Sequence, residues 1–139
     1  MPYPGFIQKS GPYELGTSSP TVASTLIDAA DALEEDSGQL SPAASAEFIV
    51  GVALQTKAAA NATTDAIQVL YCYSQRTKFW ANAEAGTFVA ADIHTSVDLN
   101  SADGVAANTT TAGDFYVVGF TLANTGFGVF AKPVSIDIG

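Results

Sequence analysis

From residue 46 onward the chain is cut into short apolar runs, each closed within a few residues by Gly, Asn, Asp or Ser. This punctuation is its most restrictive feature. AEFIVGVALQT (46–56) is a compact run with β-branched residues, and in AIQVLYCYS (66–74) Ile67, Val69, Tyr71 and Tyr73 alternate with Gln68, Leu70, Cys72 and Ser74. Period-two alternation with β-branched and aromatic enrichment is the signature of a strand. TKFWANAE (77–84), GTFVAAD (86–92), VDLN (97–100), GVAAN (104–108), DFYVVGFTLA (114–123) and GFGVFAKPVSIDI (126–138) follow in the same style. LANTGFG (122–128) supplies hairpin chemistry, with Asn124 and Gly126 able to take positive φ. The expectation is an all-β sandwich or barrel.

Upstream the signals are weaker. TVASTLID (21–28) reads as a first strand. AADALEEDSGQLSPAAS (29–45) is ambiguous: a short helix is cut off by Gly38 and Pro42, and the acids Asp28, Asp31, Glu34, Glu35 and Asp36 read as a solvated loop. Four of the six prolines lie in the first 20 residues, among Gly5, Gly11 and Gly16. Proline fixes φ and removes a donor, so this segment is neither helix nor central strand. It nevertheless carries Tyr3, Phe6, Ile7, Tyr13 and Leu15. Either it folds back on its own domain, or it is an extended arm that docks on a neighbouring subunit through those side chains. The arm is the reading taken here: residues 1–20 as arm, 21–139 as a single β domain.

Charge excludes some functions. Charged residues are only 14% of the chain, against about 25% in an average soluble protein, so the surface must be largely Ser, Thr, Ala, Asn and Gly. Such neutral surfaces suit packing against other protein. The net charge is −9, and five scattered bases form no phosphate-binding stripe, so neither nucleic acid nor an anionic membrane is an expected partner. No apolar run approaches a membrane span, and Pro2, Pro4 and Gly5 stand where a signal-peptide core would lie; synthesis and use without Sec export is the expectation. Cys72 is the only cysteine, expected buried and inert.

The chemistry-bearing candidates are few. DLNSADG (98–104) is a poor calcium loop: Asn100 and Asp103 are one residue too far apart, and the twelfth position from Asp98 is Thr109. A strand, a turn and the next strand account for the same residues, with the acids bonding local backbone. His94, Ser96 and Asp98 share one face if they lie on a strand, but side chains two apart stand about 6–7 Å from one another, too far for a triad. No catalytic residue, metal site or cofactor is expected. Phe79 and Trp80 are adjacent, so on a strand one faces the core and the other is a candidate interface anchor.

IVGVAL (49–54), a linker KAAANATTD, a strand AIQVLYC, then FVAADIHTSVDLNSADGVAANT and DFYVVGFTLANTGFGVFAKPV form an ordered set of motifs. It resembles the capsid decoration (cement) proteins of tailed bacteriophages that have a β-tulip-like domain, with Gly51-Val52-Ala53-Leu54, Thr95-Ser96-Val97-Asp98-Leu99 and Asp114-Phe115-Tyr116-Val117-Val118 as the matching residues. The resemblance spans about residues 45–135. It implies a structural virion protein, made in the host cytoplasm and used on the outer surface of the expanded head. Its partners would be the major capsid protein and copies of itself, as a trimer, bridging coat subunits against the pressure of packaged DNA. Two alternatives stay open: another virion β module, such as a head-fibre base or a tail or baseplate part, and a carbohydrate-binding module with Trp80, Tyr71 and Tyr73 as a sugar platform.

Overall fold

A computed structural model describes residues 4–12, 14–15, 19–20, 25–36, 38–45, 48–58, 66–72 and 76–131. Among these residues the chain is all-β. Its strands are β1 (Ile7–Ser10), β2 (Glu14–Leu15), β3 (Ser19–Pro20), β4 (Ala32–Asp36), β5 (Gln39–Pro42), β6 (Ile49–Ala53), β7 (Ala66–Ile67), β8 (Val69–Tyr71), β9 (Lys78–Ala85), β10 (Ser96–Ser101), β11 (Gly104–Ala106), β12 (Phe115–Leu122) and β13 (Thr125–Phe130).

Strands β9, β11, β10, β12 and β13 follow one another in that order, and β13 pairs back onto β9, closing a five-stranded barrel. Closure removes the exposed edges that an open sheet must protect. The long strand β9 organises it. β13 lies along Phe79–Asn82, β11 runs parallel to β9 from Asn82 to Ala85, and β1 is added antiparallel at Lys78–Trp80. A second sheet, in the order β2-β8-β6-β4-β5, packs against the barrel, and β3 pairs with β7.

Both faces of the second sheet are covered, which explains why IVGVA of β6 is apolar throughout and buried at every position. Ile49, Val52, Leu70 and Cys72 face the barrel and share its core with Phe6, Phe79, Val97, Val105, Phe115 and Phe130. Val50, Ala53 and Val69 face away, into a smaller cluster with Ile27, Leu33, Leu40 and Ile67. At the centre Phe130 is packed by Phe6, Phe79 and Phe115, with ring centroids 4.9, 5.3 and 5.4 Å apart. Such pairs contribute about 0.5–1.5 kcal/mol each beyond the area they bury. Cys72 is buried, its Sγ 3.5 Å from the Ile49 carbonyl oxygen.

Several expectations need correction. Within residues 29–45, Ala32–Asp36 and Gln39–Pro42 form neither a helix nor a loop but the β4–β5 hairpin, with Gly38 at φ +83° in its turn. Leu33 and Leu40 anchor it in the smaller core, and the acids that mask its strand character sit mainly toward its tip. GTFVAAD is not a strand: Phe88 drops into the barrel core and a 3-10 turn follows at Ala90–Asp92. Ile27 makes an isolated bridge to Lys57 in place of a strand, and the expected strand's first residues, 21–24, lie outside the described set. The β12–β13 hairpin forms without positive φ at Asn124 or Gly126; a register shift between Phe120 and Leu122 accommodates the turn.

The expected arm is also different where it is described. Phe6 N donates to the Ala30 carbonyl, and the Phe6 ring is 1% exposed inside the chain's own core. β1 pairs with β9, β2 with β8, and β3 with β7. An aromatic ring that can fill a cavity in its own domain gains more by doing so than by waiting for a partner. Phe6 is therefore a core residue, and Ile7–Ser10, Glu14–Leu15 and Ser19–Pro20 of this segment are strands of the chain's own sheets.

Candidate functional site

Strand parity sorts the candidate side chains into two sets. Ile7 is the direct cross-strand partner of Trp80, and Gln8 of Phe79. Trp80 is in turn the partner of Phe127 on β13. Cross-strand partners project from the same face of a sheet. Phe79 is fully buried, so Trp80 and its row project outward, and Phe79 is not an interface anchor. The outward row is Ile7, Trp80 and Phe127, all half-buried, with the two rings edge to face at 5.3 Å between centroids. Gly119 on β12 leaves room for the Phe127 ring, which a Cβ there would meet at 2.7 Å.

Lys9 lies over this row. Its Nζ is 5.3 Å from the centre of the Trp80 ring and 4.6 Å from that of Phe127, a cation–π arrangement over both. Lys78, two residues before Trp80 on β9, shares its face, and Arg76 is exposed just ahead of the strand. Two of the five bases of a chain with net charge −9, Lys9 and Lys78, thus stand on the face of its outward aromatic row. The arrangement is suited to gripping a surface that is partly apolar and partly acidic.

Of the residues expected to touch a partner, the structure brings together Ile7 and Trp80 and removes Phe6 and Phe79 to the core. Leu15 is placed by the pairing of β2 with β8. Tyr3 and Tyr13 lie outside the described residues, as does Tyr73 of the possible sugar platform. No family model, curated protein or solved structure matches this chain. None therefore identifies the decoration-protein family that the motifs resemble.

The remaining candidates separate. VDLNSADGVAA is strand, turn and strand, as β10 and β11. Its acids do not merely rim the surface, however. Asp98 is buried, and its Oδ1 accepts from the amides of Ala112 and Gly113 at 2.7 and 2.8 Å, tying down a distant loop. Asp114, also buried, accepts at Oδ2 from Leu99 N and Ser45 Oγ, each at 2.9 Å. His94 precedes β10 in a left-handed conformation, φ 68°, exposed, with Nδ1 3.3 Å from the Tyr116 hydroxyl. It does not share a strand face with Ser96 and Asp98. Among the described residues no three His, Cys, Asp or Glu side chains are grouped to hold a metal ion. An apolar cavity of about 260 Å³ lies between residues 4–8, β6, β8 and Phe79.

Sequence reasoning missed Phe127, Lys9 and Lys78. The signal was present in part: Phe127 is flanked by Gly126 and Gly128, and an aromatic between glycines in a strand is a ring laid on open backbone. That it would lie against Trp80 depends on the register of two strands far apart in sequence.

Proposed function

We propose that this chain is a structural virion protein that decorates the outside of an expanded phage head and bridges neighbouring coat subunits. The observation that carries the reading is the outward Ile7–Trp80–Phe127 row with Lys9 over it. Outward aromatic side chains such as Trp80 and Phe127 are the kind enriched at interface centres, and a lysine beside them suits the polar rim of such a patch. The barrel supports the row rigidly, because Phe79 and Gly128, the neighbours of Trp80 and Phe127 along their strands, are fixed in the closed wall. The motif order in the sequence points to the coat as the partner. Its face opposite the row is then partly acidic, since Lys9 and Lys78 meet it.

The test is the copy number of this chain in purified particles of the virus that encodes it, against the major coat protein. A number comparable to the coat, with release under mild treatment that leaves the shell intact, supports decoration. A few copies per particle point to a fibre base or baseplate part. Absence from the particle overturns the reading.

A further inference from the structure

The short turn before β4 is the point where the parts of the fold meet. Ala30 N donates to the Ala53 carbonyl on β6, Ala53 N to that of Asp31, and Phe6 N to that of Ala30. Ala32 N donates at 2.8 Å to the carbonyl of Ala102, in the turn between β10 and β11. Ala30 is held at φ 77° in this turn, a conformation that costs a non-glycine residue energy and persists only where its surroundings enforce it. The second sheet, the first strand and the barrel are thus joined at one place.

Two carboxyl groups sit there. Asp31 is 5% exposed; its Oδ2 accepts from Asp28 N at 2.9 Å, and its Oδ1 is buried without a partner. Oδ1 of Asp103, in the β10–β11 turn, is likewise buried without a partner. Two ionised carboxylates offer only acceptors and cannot bond each other; one proton between them supplies the missing donor to both. We propose that Asp31 and Asp103 share a single proton, and that this proton is a pH-sensitive latch holding the β10–β11 turn of the barrel against the entrance to β4.

The surroundings favour that state. Burial pushes the Asp31 carboxyl up to about 8, helped by the neighbouring Asp103 carboxyl and by the charge of Asp28, and opposed by the backbone hydrogen bond at Asp28. Among the described residues the charged groups that act on it are the carboxylates Asp103 and Asp28. From the barrel side Asp103 N donates to Ser101 Oγ, whose hydroxyl is held by Glu84 Oε1 at 2.5 Å, so a further acid stands behind the turn. On β4 itself Glu34 receives the Ser41 hydroxyl across the hairpin. A carboxyl whose folded pKa lies above its unfolded value binds its proton more tightly in the folded state. Its stabilisation is full below the ordinary carboxyl value of 3.8, declines as pH rises, and is lost above about 8.

The experiment compares thermal melting of the full chain and of Asp103→Asn from pH 4 to pH 9, in chelator. The asparagine amide donates to Asp31 at every pH. The expected result is a wild-type melting temperature that falls between about pH 4 and about pH 8 more steeply than that of the variant, and runs parallel to it above that. Equal slopes overturn the proposal. Should Asp103→Asn fail to fold, the carboxyl carbon of Asp31 is titrated by NMR in the wild type; a midpoint in the ordinary carboxylate range overturns the proposal, and one far above it supports it. Millimolar calcium added at pH 8 tests the competing occupant: a melting-temperature rise in the wild type that Asp103→Asn abolishes means that a cation, and not a proton, joins the pair.

Discussion

Trp80 stands edge-on to Phe127 across the β9–β13 pair, 5.3 Å between centroids, on the outer wall of a barrel whose inner wall at the neighbouring position is Phe79. Two adjacent aromatics therefore have opposite duties, and single substitutions separate them. Phe79→Ala empties a fully buried site and is expected to cost about 3–5 kcal/mol of stability. Trp80→Ala should cost the isolated protein far less. If the outward row grips the coat, it weakens binding to stripped, expanded heads by about 30-fold or more, the size of a hot-spot loss of about 2 kcal/mol. Co-sedimentation with heads measures this; unchanged binding by Trp80→Ala rules out the row as the coat-facing surface.

Lys9 and Lys78 extend the same argument to charge. Both lie beside Trp80 in a chain of net charge −9, so their loss removes local positive potential that the rest of the surface does not replace. Lys9→Gln with Lys78→Gln is expected to leave folding within about 1 kcal/mol of wild type, since exposed charges contribute little to stability. Head binding should weaken, more at low salt than at high salt. Titrations at two ionic strengths decide it: binding that is equally weakened at both, or not at all, removes the acidic partner face from the proposal.

The contrast with Phe6 bears on how much the sequence could say. Strands β8, β10, β12 and β13 are legible because their own patterning and turn residues encode them, and β6 because it is a compact apolar run with β-branched residues. The β4–β5 hairpin is not, because Glu34, Glu35 and Asp36 dilute the two leucines that anchor it. Parity along TKFWANAE tells that Phe79 and Trp80 part company, but not which goes inward; the fold answers that by packing Phe79 against Phe130, on a strand distant in sequence. Asp31 and Asp103 were each visible as acids, and only the fold makes them neighbours. For Phe6 the proline-rich context suggested an arm, while the ring's fit among Phe115 and Phe130 decided otherwise.

Phe6→Ala consequently has a definite expectation in the isolated protein. A ring in contact with Phe115 and Phe130 is lost from the core, at a cost of about 3–5 kcal/mol. Ile7→Ala, one residue on and half-buried, should cost markedly less. Urea unfolding of the two variants gives the comparison. Wild-type stability for Phe6→Ala would mean that this segment is not seated on its own chain in solution.

Asp98 offers a test within the stretch that looked most like a cation loop. Its Oδ1 is the acceptor for two backbone amides, Ala112 and Gly113. Asp98→Ala withdraws that charged acceptor from inside the protein and is expected to cost about 3 kcal/mol, whereas Asp98→Asn keeps an oxygen there and should cost about half as much. Hydrogen exchange reads the same event locally: the Gly113 amide loses protection in Asp98→Ala before the core strands do. Retained protection at Gly113 would show that the loop is held by something other than this carboxylate.

Gly128 sits where the barrel closes, paired to Val117 on one side and Phe79 on the other. A Cβ there would stand 1.9 Å from the carbonyl oxygen of Tyr116. The obstacle is backbone, so no rotamer change relieves it, and β12 and β13 must part for the methyl to fit. Gly128→Ala is therefore expected to lose more than about 4 kcal/mol or to fail to fold, the range reached when a backbone-level conflict cannot be absorbed. Val129→Ala, one residue along and half-buried, serves as the control and should cost about 1 kcal/mol. Guanidinium unfolding of the pair measures the gap. If the two variants are equally stable, β12 and β13 are not in contact at this register, and the barrel does not close through Phe79 as described.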